Sequence, residues 1–374
     1  MIPAELARRG ASARLYLRPT GFVDSPFGYD GQTMRLAGGL AWFAMIEAIA
    51  ADEGGRIEQS LVPVERIEDF VASLPDPHHQ RARRTLDNLT APRGPLRLGE
   101  RVVRLDQPQA MGVLNMTPDS FSERGGVSEP EEAAARAVGM AEAGAAIVDI
   151  GGESTRPGAK PVWEGDEIAR VLPVIERLKG TGLALSIDTR KAAVMRAALA
   201  AGAHMVNDVS ALLHDEESLR VAREGDFPII LMHHRGEPET MQQDPRYRDA
   251  LLDVYDWLEE RIEAVVAAGV ARERLLIDPG IGFGKTLRHN LAILNGLALF
   301  HGLGLPIVLG ASRKRMVGAL SGEAPVEKRL GGSLGLALAG ATQGVQLLRV
   351  HDVYETVQGL RVWRGLRDEA LTPG

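Results

Sequence analysis

The chain has 374 residues, 45% hydrophobic and 25% charged, with a formal net charge of −7 and no cysteine. The missing cysteine excludes disulfide scaffolds and thiolate metal sites, and the acidic balance excludes a nucleic-acid coat while allowing a local anion pocket. The length suits a TIM barrel of about 250 residues plus a smaller appended piece.

The first ten residues carry Arg8 and Arg9 with no apolar run behind them, so no signal peptide is expected. The absence of cysteine is compatible with a reducing cytoplasm, the expected location. Residues 1–105 read as a small α/β extension. Leu15–Leu17 and Leu61–Val64 have strand character, while Thr33–Ala51, Val64–Leu74 and His79–Leu89 carry helical spacing. Pro63, Pro75, Pro77, Pro92 and Pro95 punctuate this part, and a joint is expected near Pro92–Gln109. It holds no recognisable chemistry motif.

Residues 106–374 alternate between short apolar runs and longer amphipathic ones. The apolar runs are Met111–Leu114, Ile147–Ile150, Leu183–Ile187, Met205–Val206, Ile229–Met232, Leu275–Ile277, Ile307–Leu309 and Leu347–Val350. Each suits a strand buried on both faces. Helical spacing marks Glu131–Ala143, Asp166–Leu178, Ala192–Ala201, Ala250–Ala268, His289–His301 and Lys328–Ala341. Gly144, Gly202 and Gly269 sit where a left-handed helix end is needed. Eight strand–helix units imply parallel strands with right-handed crossovers, hence a TIM (β/α)8 barrel; an open doubly wound sheet is the alternative. The uncharged stretch Gly331–Leu348 approaches membrane-span length, but its glycines, Ser333 and Thr342 suit a helix packed on a barrel better.

Polar residues recur where the strands end. Asn115 follows the first, Gly151 through Pro157 the second, Asp188 the third, Asn207 and Asp208 the fourth. His233 and His234 follow the fifth, Asp278 the sixth, Ser312 through Arg315 the seventh, and Arg349 and His351 the eighth. In a TIM barrel these ends form the active-site mouth. One such residue would be an ordinary turn former, and Asp208 and His234 singly read as structural as readily as functional. Eight in register point to a site. Asp188, Asn207 and Asp278 suit a flat heterocycle with several N–H donors. Arg156, Arg313, Lys314, Arg315 and Arg349, with His351, form a cationic set suited to a diphosphate or carboxylate. Gly280–Thr286 looks like a phosphate loop but carries Pro279 where the Walker pattern needs glycine, and Lys285 where the dinucleotide fingerprint does.

Taken together, Met111–Ser122, Val148–Gly158, Ser186–Thr189, Val206–Asp208, Leu231–His233, Asp278–Lys285, Ser312–Lys314 and Arg349–His351 resemble, in order, the signatures of the dihydropteroate synthases. The resemblance covers about residues 108–365 and implies a TIM-barrel transferase. Such an enzyme joins 6-hydroxymethyl-7,8-dihydropterin diphosphate to p-aminobenzoate, giving 7,8-dihydropteroate and diphosphate. It further implies that Asp188, Asn207, Met232, Asp278, Lys314 and Arg349 bind the pterin. Asn115, Arg349 and His351 would hold the diphosphate, with Mg²⁺ on Asn115. Thr155, Arg156, Pro157, Phe283, Lys314 and Arg315 would bind p-aminobenzoate. Catalysis would rest on Asn115, Asp188, Lys314, Arg349 and His351. A homodimer through the last helices is implied, with no nucleic-acid or membrane partner. Arg315 departs from members that carry serine there, which leaves open the group that meets the p-aminobenzoate carboxylate. No insertion stands beside Phe283, unlike in sulfonamide-resistant members, so sulfonamide inhibition is implied. A pterin-dependent methyltransferase domain and a pterin-binding paralogue without catalysis are the competing readings.

Overall fold

The computed structural model describes residues 2–117, 129–155, 158–236 and 240–372. The chain opens on an antiparallel sheet: β1 (Arg14–Val23), β2 (Met34–Arg35), β3 (Trp42–Asp52) and β4 (Gly55–Pro63), with β3 paired to all the others. Helices Ile2–Arg9, Ile67–Ala72 and His78–Thr90 complete this extension. The helical reading of Thr33–Ala51 is therefore wrong. Ile46, Ala48 and Ala50 face the extension's own core, while Ile49 and Ala51 turn with Tyr16 toward the barrel core. A strand buried on both faces gives a continuous apolar run without a period of two, and such a run mimics a buried helix.

β5 (Leu96–Leu98) and β6 (Arg101–Val103) form a hairpin at the foot of the barrel. The barrel strands follow: β7 (Gln109–Asn115), β8 (Ile147–Gly151), β9 (Leu185–Asp188), β10 (Met205–Asp208), β11 (Ile229–Met232), β12 (Leu275–Asp278), β13 (Val308–Leu309) and β14 (Leu347–Val350). They pair in parallel in the order β12-β11-β10-β9-β8-β7-β14-β13. A parallel bridge between Ile277 and Ile307 joins the two end strands, giving the expected TIM barrel.

Successive side chains on a strand point to opposite faces, and this period sorts the barrel into layers. Val148, Ile150, Leu185, Ile187, Val206, Leu231, Ile277 and Leu348 point outward onto the helices. Met111, Ile147, Met205, Ile230, Leu276, Val308 and Leu347 point inward at the foot and pack against Leu96, Leu98, Val103 and Leu105. Two residues further along the same inward rows stand Asp149, Asn207, Met232, Asp278 and Arg349.

Gly144, Gly202 and Gly269 have φ of 106°, 127° and 101°, the positive values expected at these helix ends. The helix at Ala192–Ala201 matches its expectation, and those at Pro130–Glu142, Glu164–Leu178 and Ala250–Ala267 match to within two residues. The single helix expected over His289–His301 instead breaks into Leu287–Asn295 and a 3-10 segment, Leu297–Leu303. The break falls at Gly296, where an added Cβ would lie 2.4 Å from Leu251. Gly331–Leu348 resolves into helix Leu330–Thr342 and β14, and among the described residues no helix is long and apolar enough to cross a membrane. Helices Ser218–Glu224 and Val353–Ala370 had no counterpart in the sequence reading.

The extension lies against the barrel flank. Tyr16 donates to Asp256 at 2.8 Å, Arg14 and Arg81 pair with Glu259 at 2.9 and 3.0 Å, and Asn88 donates to the Gly302 carbonyl at 2.8 Å. The β3–β4 turn reaches further up: Arg56 pairs with Asp249 at 2.5 Å, and Arg248 donates to the Glu53 carbonyl at 3.2 Å.

Candidate active site

The upper inward layer is a hydrogen-bonded set of ionisable groups. Arg349 donates from Nε to Asp149 Oδ2 and from Nη2 to Asp188 Oδ2, both at 2.6 Å. Asn207 donates from Nδ2 to Asp149 Oδ2 at 3.0 Å. Burial pushes Asp188 up to about 7, with Arg349 pulling it down and Asp149 adding to the rise. Burial works against the Arg349 charge, but Asp149 and Asp188 outweigh it and the guanidinium is raised. Asp278, raised by burial, accepts the Gly280 N–H at 2.7 Å. A Cβ on Gly151 would sit 3.4 Å from the Asp188 Cβ and 3.7 Å from Asn115 Oδ1, so this glycine leaves the space between those two groups open.

A second group stands at the rim. Lys314 Nζ lies 4.2 Å from the centre of the Phe283 ring, a cation–π contact. His351 Nδ1 and Ser312 Oγ are 3.1 Å apart. A cavity of about 150 Å³ runs from Thr155 and Phe283 past Arg190, His214, His234 and Met241. The structure thus places Asn115, Asp188, Asn207, Met232 and Asp278 at the C-terminal strand ends, with Arg349 and His351 beside them. Lys314 stands just before the helix Arg315–Leu320, whose first residue, Arg315, is exposed. Arg156 and Pro157 lie outside the described residues, as do residues 118–122 of the first signature.

Arg313 departs from its expectation, and Asp208 takes the structural one of its two readings. Arg313 leaves the cationic set: its guanidinium forms a two-pronged pair with Asp352, Nε donating at 2.9 Å. Its φ of 57° places it in the left-handed region, which turns it from the line of Lys314 and Arg315. Asp208 proves to be a turn residue, accepting the Ser210 N–H at 2.7 Å, the Ser210 hydroxyl at 2.6 Å and the Leu212 N–H at 2.9 Å.

Three buried groups were given no role from the sequence. Asp149 is 0% exposed and binds both Asn207 and Arg349. Its signal was a charged residue inside an otherwise apolar strand. Glu153 pairs with Arg190 at 3.1 Å and Lys191 at 3.2 Å and accepts the Val162 N–H at 2.9 Å, anchoring the loop that carries Thr155. Lys285, whose charge burial strongly disfavours, reaches His233 Nδ1 and the Gly280 carbonyl, each at 2.8 Å, and the Phe283 carbonyl at 3.0 Å. It ties up the turn beneath Phe283. Gly280 is obligatory there, because with φ of 69° a Cβ would lie 1.8 Å from the His233 carbonyl oxygen.

No cluster of three or more carboxylate or imidazole groups suited to a metal ion exists among the described residues. The donor set still fits Mg²⁺: Asn115 offers a hard oxygen at the mouth, and this ion commonly takes one or two protein oxygens plus phosphates and water.

The pterin binding enzyme family matches residues 111–351. The dihydropteroate synthase of Escherichia coli K12 is 46% identical over 259 residues, which are 69% of this chain and 91% of the relative. That of Neisseria meningitidis MC58 is 44% identical over 270 residues, 71% of this chain and 94% of the relative. The Xanthomonas albilineans dihydropteroate synthase with 4-aminobenzoic acid superposes with a TM-score of 0.69 at 46% identity, covering 73% of this chain and 98% of that one. The same enzyme with 7,8-dihydropteroate gives a TM-score of 0.66 at 43% identity, covering 73% and 98%.

Proposed function

From the premise that the chain belongs to the dihydropteroate synthase family of pterin binding enzymes, we propose how its residues divide the reaction. The enzyme is a transferase that makes 7,8-dihydropteroate for folate synthesis. The C–O bond between the pterin methylene and its diphosphate breaks, the aniline nitrogen of p-aminobenzoate bonds to that carbon, and the nitrogen then loses a proton. The observation that carries this reading is the buried acceptor row, Asp188, Asn207 and Asp278, beside Arg349.

The acceptors take the N–H groups of the pterin, Met232 lines its pocket, and Lys314 donates to its carbonyl side. Asp188 and Asp278 favour positive charge on the dihydropterin as the leaving group departs, so the path is dissociative. Asn115, Arg349 and His351 hold the diphosphate and stabilise its developing charge. Mg²⁺, when bound at Asn115, supplies further neutralisation of that diphosphate. Thr155, Arg156, Pro157 and Phe283 enclose the p-aminobenzoate ring. Its carboxylate meets Lys314 or Arg315. The amine is nucleophilic as it stands, so no strong general base is required.

Sulfonamides inhibit this chain by taking the p-aminobenzoate place; the Yersinia pestis dihydropteroate synthase has been solved in complex with a sulfonamide drug. The working unit is a cytoplasmic homodimer. Tyr354, Val362 and Leu366 on the last helix, 63%, 63% and 69% exposed, supply an apolar face for it. Sedimentation should find a dimer; a monomer at micromolar concentration would remove that part.

The deciding experiment mixes the protein with Mg²⁺, the pterin diphosphate and p-aminobenzoate and measures dihydropteroate and diphosphate. Equal amounts of both are expected, with loss of turnover in excess chelator and under sulfonamide. Binding of the pterin diphosphate without product would instead mark a non-catalytic paralogue.

A further inference from the structure

Asp149 has no part in the division of roles above, yet it is fully enclosed beneath the mouth. It is 0% exposed, and its Oδ2 receives both Asn207 Nδ2 at 3.0 Å and Arg349 Nε at 2.6 Å. Its other oxygen has no partner among the described residues. A carboxylate can only accept hydrogen bonds, so whichever amide atom of Asn207 faces Asp149 must be the nitrogen. The amide oxygen is then turned away from Asp149.

We propose that Asp149 is a positioning residue that locks Asn207 as a hydrogen-bond acceptor toward the substrate and so keeps all three of the pterin-facing groups, Asp188, Asn207 and Asp278, acceptors. A free asparagine side chain can flip and present N–H groups just as well, which would oppose the pterin's own donors. The chain removes that option with a carboxylate set one inward position below the mouth. The same carboxylate fixes the Arg349 Nε, so Nη2 lies against Asp188 at 2.6 Å and the guanidinium plane is set before substrate arrives. An unpaired buried carboxylate would be costly, and Arg349 with Asn207 compensates it on one oxygen only. This inference rests on the reading that Asn207 binds the pterin.

Four full-length variants test it, each read by calorimetric affinity for the pterin diphosphate and by separate KM values for the two substrates. Asn207→Ala measures the site reading itself. Asp149→Asn keeps the shape but lets both amides adopt either orientation. It is expected to weaken pterin binding by about tenfold to hundredfold, the range of one misplaced buried hydrogen bond. The KM for p-aminobenzoate should not change. Asn207→Asp alone sets two carboxylates against each other and is expected to bind the pterin poorly. The double variant, Asp149→Asn with Asn207→Asp, exchanges the groups: the amide at 149 now donates to the carboxylate at 207, which again offers only acceptors. Recovery of at least half of the lost affinity, on a logarithmic scale, supports the lock. A merely structural Asp149, there to pair with Arg349, predicts no recovery, because the exchange does not restore a carboxylate at position 149.

If Asn207→Ala binds the pterin diphosphate as well as the unchanged chain, the site reading fails and the lock falls with it. If Asn207→Ala is weak but Asp149→Asn is normal, or the double variant is no better than Asp149→Asn, the lock alone is overturned. Should Asp149→Asn fail to fold, the double variant against Asn207→Asp makes the same decision: equal affinity of those two overturns the lock.

Discussion

The two ends of the barrel are made by the same strands with opposite chemistry. At the foot, inward residues such as Ile147, Met205, Leu276 and Leu347 are closed off by the β5–β6 hairpin into a dry core. Two residues on, the same rows carry Asp149, Asn207, Asp278 and Arg349. One end supplies cohesion and the other supplies function, only about 7 Å apart at the usual rise of a strand. The lesson is that an inward position in this barrel is neither core nor site by itself; its height along the strand decides.

That contrast can be broken from either end. The largest effect is expected at the top. Arg349→Ala should lower kcat by about 10²–10³-fold, the usual cost of losing one preorganised donor to developing charge. Asn207→Ala should lower it far less, since its contact is made equally in ground and transition states. Equal losses in single-turnover kinetics would contradict the division of roles. Next comes the foot. Leu347→Ala should cost about 2–5 kcal/mol in denaturant unfolding, the range for a fully buried leucine, while kcat stays within about twofold. A large loss of kcat with unchanged stability would show that the two ends are not separable.

A third test concerns pH. His301, 0% exposed in the segment Leu297–Leu303, donates from Nε2 to the Gln343 carbonyl at 3.0 Å. Burial lowers it from 6.5 to about 3, with Arg93 adding to the fall. The unfolded chain therefore binds this proton more readily than the folded one. The contribution of His301 is fully present above about pH 6.5 and is lost as pH falls toward about 3. Replacing it with Gln should flatten the acid limb of the stability curve in that window, and an unaltered limb would remove His301 as its cause. The smallest effect is expected for Asn88→Ala, which removes the hydrogen bond to the Gly302 carbonyl. About 1 kcal/mol of stability should go, with no change in either KM.

Much of this was legible in the sequence, for identifiable reasons. Barrel strands are buried on both faces and bounded by Gly and Pro, so runs such as Ile229–Met232 stand out. The polar strand ends stand out because they interrupt those runs. What was hidden depends on pairing between distant residues. β3 looked helical because its apolar faces meet two different cores. Arg313 looked like part of an anion site because its partner, Asp352, lies 39 residues away. Asp149 was in plain view inside Ile147–Ile150, but its role needs Asn207 and Arg349, which come from two other strands.

The β3–β4 turn of the extension ends against Arg248 and Asp249, next to Tyr247. The Tyr247 hydroxyl in turn donates to the Gly284 carbonyl at 2.9 Å, one residue beyond Phe283. A segment outside the matched span 111–351 thus sits three short links from the expected p-aminobenzoate pocket. A substitution at Glu53 or Arg56 is therefore felt at the turn that carries Phe283 through Arg248, Asp249 and Tyr247. The path of contacts from the extension ends on the Asp278–Lys285 motif itself, one residue from Phe283.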